Sequence, residues 1–154
     1  MTYSSKQARQ MGLNKKLGNA GEQTAANALR QRGVLMVEEI GTPFVVVERK
    51  AGGWMRGYWK EKVSGDLRGH LSNGTSVIAE VKTIWNRNLR WSDLDSHQPG
   101  RLDMHAENAI SLLVWVHSSG VYVMNWYRLM ASGVFGPRQG LTIEQAEQFN
   151  IEQL

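Results

Sequence analysis

The chain has 154 residues, 18 of them basic and 14 acidic, with a net charge of +4, a pI near 9.6 and no cysteine. That length fits one domain with a real core, and the lack of cysteine excludes disulfides and thiolate metal sites and suits a reducing cytoplasm. No apolar run reaches the roughly 18 residues of a membrane span and the N-terminus has no signal-peptide core, so a cytoplasmic protein is expected, whether cellular or phage-encoded, without a membrane partner.

The charge excess is local. Lys6, Arg9, Lys15 and Lys16 fall in the first sixteen residues with no acid among them, while the rest of the chain is balanced. Residues 1–16 are expected as a basic arm ahead of a single domain over 17–154. Such an arm pairs with nucleic-acid phosphates or is simply solvated. From Gly18 to Gly33, Ala20, Ala25, Ala26 and Leu29 recur at helical spacing and Gly33 supplies a stop, which predicts the first helix. Glu22 lies four residues from both Gly18 and Ala26, on the stripe that should pack inward. A carboxylate there either snorkels to solvent or is aimed at a site.

Residues 34–40 and 43–50 read as strands and 54–63 as a third, joined to the second through Ala51-Gly52-Gly53 as a hairpin. Its tip and second arm interleave Arg49, Lys50, Trp54 and Arg56 with Tyr58, Trp59, Lys60 and Lys62. That mixture can contact phosphates and stack on unpaired bases, or form a half-solvated face over core tryptophans. Asn73-Gly74 marks a tight turn before a strand over 77–85. Pro99 sets a helix start within 95–109, residues 110–117 and 121–126 form a hairpin across Ser118-Ser119-Gly120, and Thr142 with Gln145 fits a capping box opening the last helix. This order of elements predicts an α/β or α+β domain with a central mixed sheet.

The strand over 77–85 carries the most chemistry. Alternation puts Val77, Ala79, Val81 and Thr83 on one face and Glu80 with Lys82 on the other, between Ile78 and Ile84. A carboxylate and an ammonium on an Ile-flanked face need a partner or a metal; the alternative is an ion pair on an exposed sheet, with Asp66 a turn residue. Asp66 stands fourteen positions before Glu80, after Ser64-Gly65. Two carboxylates beside a lysine are what a Mg²⁺-dependent phosphodiesterase requires. A second such triplet, Glu48-Arg49-Lys50, runs into the turn glycines and reads as solvated.

In order along the chain, Gly18-x-x-x-Glu22, Asp66, Glu80-Val81-Lys82 and His97-Gln98 ahead of a helix resemble the PD-(D/E)XK nuclease superfamily, and within it the Holliday junction resolvases of the archaeal Hjc and bacterial RecU types. The resemblance covers Gly18 to Val116, about two thirds of the chain; His97-Gln98 followed by Leu102, and a hairpin where RecU has a stalk, look more like RecU. One departure is that no proline precedes Asp66. The resemblance implies a restriction-endonuclease-like α/β fold, a mixed sheet flanked by helices, with a protruding β-hairpin. It implies Asp66 and Glu80 as Mg²⁺ ligands (Mn²⁺ being an alternative), with the Val81 carbonyl and Glu22 completing the set. Lys82 would hold the attacking water or the developing charge, and Gln98 would touch the scissile phosphate or its water.

It further implies a homodimer that nicks a four-way DNA junction at two symmetric positions, with no small-molecule substrate. Lys15, Lys16, Arg49, Lys50, Trp54 and Arg56 are the residues expected to contact DNA. The same carboxylates would equally serve a repair or restriction nuclease of this superfamily. A DNA-binding recombination protein without catalysis is the reading from another class.

Overall fold

A computed structural model describes residues 5–41, 44–49, 52, 55–59 and 65–154. The first helix, α1, is Ser5–Gln31. It begins well before Gly18, so residues 5–16 are not an arm separate from the first helix but its opening turns, and Lys6, Arg9, Lys15 and Lys16 ride on it. Lys, Arg, Gln, Met and Leu are good helix formers, and an interior glycine costs only about 1 kcal/mol. Neither Gly12 nor Gly18 therefore stops the run.

After α1 come β1 (Leu35–Glu39), β2 (Phe44–Arg49), β3 (Met55–Trp59), β4 (Leu67–His70) and β5 (Ser76–Thr83). Then follow β6 (Leu89–Arg90), a 3-10 turn over Trp91–Asp93, α2 (Gln98–Ala106), β7 (Ile110–His117) and β8 (Gly120–Asn125). The chain ends with α3 (Trp126–Ser132), β9 (Gly140–Leu141) and α4 (Ile143–Phe149). The architecture is mixed α/β. Five strands form the central sheet in the order β1-β4-β5-β7-β8, with β5 and β7 parallel and the other neighbours antiparallel. The segment linking the two parallel strands contains α2, as a parallel pair requires a crossover. The expected hairpin pairs β2 with β3 as a separate two-stranded sheet, Phe44 opposite Trp59 and Arg49 opposite Met55.

The central strand β7 is buried on both faces and divides the core. Leu112, Val114 and Val116 face one way, against Ala25, Ala26 and Leu29 of α1 and Val77, Ala79 and Val81 of β5. Leu113 and Trp115 face the other, among Leu89, Leu102, Tyr122, Met124, Trp126, Phe135 and Leu141. Trp115 is fully buried and its indole N–H donates to the Ile84 carbonyl at 2.9 Å, which fixes the ring.

Arg32 joins the two ends of the chain. Its guanidinium donates to the carbonyls of Ala28, at 3.0 Å, and Ile151, and to Asn150 Oδ1 at 3.4 Å. The same amide oxygen accepts from the Val123 N–H at 2.9 Å, and the Leu154 N–H donates to the Arg32 carbonyl at 3.0 Å. Truncation leaves two carbonyls without their charged donor. Arg32→Ala is expected to lower unfolding free energy by about 2 kcal/mol, read as a reduced denaturant midpoint; an unchanged midpoint contradicts this role.

Candidate active site

The antiparallel ladder between β4 and β5 ends at Leu67 opposite Ala79, followed by the Asp66 N–H donating to the Ala79 carbonyl at 2.8 Å. Gly65 makes this departure possible. Its φ is +77°, and a Cβ there would lie 2.7 Å from Ile78 Cγ2 and 3.1 Å from the Ala79 carbonyl oxygen. Glycine suits this position because the chain turns in left-handed conformation against a neighbouring strand. Beyond that rung β5 continues beside β7 on its other edge. The Asp66 side chain takes over the ladder, Oδ2 accepting the Val81 N–H at 2.8 Å. A strand residue directs its N–H and C=O to the same edge, so the Val81 carbonyl points into the gap that β4 vacates.

On the next residue, Glu80 is 3 % exposed. Its Oε1 lies 3.1 Å from Lys82 Nζ and accepts from Gln98 Nε2. The amide of Gln98 is oriented by its other end, since Oε1 accepts the Asp95 N–H at 2.7 Å. Pro99 follows at the start of α2, so Gln98 is held at a helix entrance rather than on a mobile loop. The sequence did not single out the Asp95 backbone, whose role is visible only once the turn is closed.

The charge of Asp66 also bears on Glu80. Burial, and then the Asp66 charge, push the Glu80 carboxyl up to about 7; the Lys82 ammonium pulls the other way but only partly offsets them. The expected ion pair is real, yet it lies on the face that α2 and the second core cluster cover. An exposed sheet face is therefore excluded.

Glu22 approaches from α1, on the opposite side of β5. Gly21 lets the helix come this close: a Cβ there would sit 1.8 Å from Thr83 Oγ1. Glu22, Leu17 and Gly18 line a cleft of about 250 Å³ with Val81 and Thr83. The Glu22 carboxyl is raised by partial burial first, then by the Asp66 charge and that of Glu39. So the five expected catalytic residues converge in two ways. Glu80 contacts Lys82 and Gln98 and feels the charge of Asp66, which also acts on Glu22.

Among the described residues no group of three or more His, Cys, Asp or Glu is arranged to hold a metal ion. The expected three-carboxylate set is thus not closed, because Glu22 arrives from the far side of the strand. The donors that do meet are two carboxylates, with a backbone carbonyl directed to the same gap. Mg²⁺ takes hard oxygen ligands and keeps several waters, so it is held by one or two carboxylates. The chemistry of this set fits that ion.

His97 occupies the N-cap of α2 without a side-chain capping bond. Of the residues expected to contact DNA, Lys15 lies in α1 and Lys16 is exposed on it, while Arg49 and Arg56 are exposed on β2 and β3. Glu48 stands opposite Arg56 in the register of the ribbon. Lys50 and Trp54 lie outside the described residues, as do Ser64, Lys60 and Lys62. No protein-family model matches the chain, and no curated protein matches it.

Proposed function

We propose that this chain is a metal-dependent phosphodiesterase acting on DNA. Within that class, it is read as a PD-(D/E)XK endonuclease that resolves four-way junctions as a homodimer in the cytoplasm. The observation that supports the first step most is Glu80: a carboxylate buried against Asp66, tied to Lys82 and Gln98, with its ionised form under-compensated. Strained electrostatics of this kind cluster at working sites. The second step rests on the order of the motifs and on the β2–β3 ribbon.

Asp66 and Glu80, with the Val81 carbonyl, would hold Mg²⁺, which when bound polarises a phosphoryl oxygen and lowers the pKa of a coordinated water. The chain's own groups do the rest. Asp66 is fixed by the Val81 N–H, so its carboxylate has one orientation relative to β5. Gln98 and Lys82 fix the Glu80 carboxylate from two directions. Lys82 would hold the attacking water or the charge growing on the phosphate. Among the described residues no helix is long and apolar enough to cross a membrane, in keeping with a DNA substrate.

The test is cleavage of a synthetic four-way junction beside a linear duplex, each with Mg²⁺ and with EDTA. Paired symmetric nicks in the junction, dependent on Mg²⁺, are expected. Cleavage that survives EDTA overturns the metal-dependent reading, and equal cutting of the duplex moves the substrate toward repair or restriction.

A further inference from the structure

A basic surface lies where β6 pairs with β9. It is a cleft of about 700 Å³ whose lining includes Arg87, Arg90, Arg138, Asn88, Trp91 and Gln139, and among the described residues no carboxylate lines it. We infer that this cleft binds the phosphodiester backbone of the DNA arm leaving the Glu80 site. The inference rests on the DNA-directed reading above.

The cleft is built by pairing distant pieces of chain. β6 and β9 join Leu89 to Leu141 and Arg90 to Gly140. Arg138 sits in left-handed conformation, φ +71°, within the turn closed by the Gln139 N–H to the Gly136 carbonyl at 2.9 Å. Behind the cleft, Asp93 grips the Arg87 fork at 2.7 and 2.8 Å and accepts the Arg90 N–H at 2.7 Å. Arg87 is therefore rigid and mostly neutralised. Arg90 and Arg138 are exposed, and among the described residues neither enters a salt bridge. The floor is stiff as well: Trp91 stacks on Trp126, centroids 6.0 Å apart, and leans on Phe135 at 5.4 Å.

Position ties this cleft to the catalytic carboxylate. Leu89, Trp91 and Leu141 pack in the same cluster as Leu113 and Trp115. In the β5–β7 register those two residues stand beside Glu80 and Lys82. Both sites thus lie on one side of the sheet. Chain reach bounds the separation: Arg87 is five residues beyond Lys82 and Arg90 eight, hence within about 18 and 29 Å. One DNA strand rises about 3.4 Å per phosphate, so the cleft falls within some five to eight phosphates of the bond being cut. Exposed guanidinium forks match phosphate geometry and read no base sequence.

The experiment compares wild type with R90Q/R138N, asparagine being chosen because it tolerates positive φ. Junction affinity is measured in EDTA between about 50 and 200 mM salt. The double variant should bind at least about tenfold more weakly, with a log–log salt slope shallower by about two. R90K/R138K should recover the slope, which excludes a fold defect as the cause. Unchanged affinity and slope in R90Q/R138N overturn the cleft, whatever the cleavage assay gives. If wild type binds but never cuts while the double variant loses its slope, the catalytic reading falls and the cleft stands. A wild type that does not bind DNA removes both.

Discussion

Glu80→Gln is expected to lower single-turnover junction cleavage by about 10³-fold while making the protein more stable at pH 8 in metal-free buffer. The two effects have one cause. Burial and the adjacent Asp66 raise the Glu80 carboxyl from 4.5 to about 7. A group whose folded-state pKa is raised gives its full stability below the unfolded value and loses it as pH climbs through the folded one. Between pH 4.5 and 7 the wild type should therefore lose up to about 3 kcal/mol that the glutamine variant keeps. Glutamine has nearly the same shape, and its Oε1 can still accept from Lys82 and Gln98. Chemical denaturation of both proteins at pH 5 and pH 8 checks this. A variant no more stable than wild type at pH 8 would show that the buried charge is already compensated, and would remove the main reason to look for a cation there.

The features legible in the sequence were those set by near neighbours. The alternation over 77–83 assigned Val77, Ala79 and Val81 to a buried face and Glu80 with Lys82 to the other, because a strand has only two faces. Thr142 and Gln145 form the capping box that their spacing predicts, each side chain bonding the other's backbone. Pro99 does open α2. Elsewhere local signals were read too simply. Trp126 looked like the end of a strand, yet Asn125 caps α3 by accepting the Arg128 N–H at 3.0 Å, and Gly133 ends it at φ +69°. Those two residues held the signal.

What no local rule reaches is contact across the chain. β6 and β9 are two residues each and pair positions 89 and 141, so the arginine cleft they build has no linear signature. The same limit applies to the site. The motif order placed Glu22 with Asp66 and Glu80, but only the packing of α1 reveals that it comes from the far face of β5, where the Asp66 charge acts on it. Conversely, Gln98 was chosen by resemblance alone, and its bond to Glu80 depends on a turn at Asp95 that fixes the amide.

Lys82→Met should also cripple cleavage, by about 10² to 10³-fold, yet move stability in the opposite direction from Glu80→Gln. The Lys82 ammonium is one of the influences holding the Glu80 carboxyl down, so its loss raises that carboxyl further. At pH 8 the variant must then either carry a buried carboxylate without its cation or take up a proton, and both cost stability. Proton uptake caps the charge cost of breaking the pair at about 1.4 kcal/mol one pH unit above the wild-type value, and the side chains here are 16 % and 4 % exposed, so solvent screens little of it. Combining the two substitutions separates charge from packing. In a Glu80→Gln background there is no charge to strand, and Lys82→Met should cost about 1 kcal/mol, the difference being the coupling of the pair. Arginine should not restore cleavage at position 82, because a planar fork cannot place one compact charge where an ammonium stands. Lys82→Met at wild-type rate would remove the lysine from the chemistry. Equal costs in both backgrounds would show that Glu80 is ionised without its help.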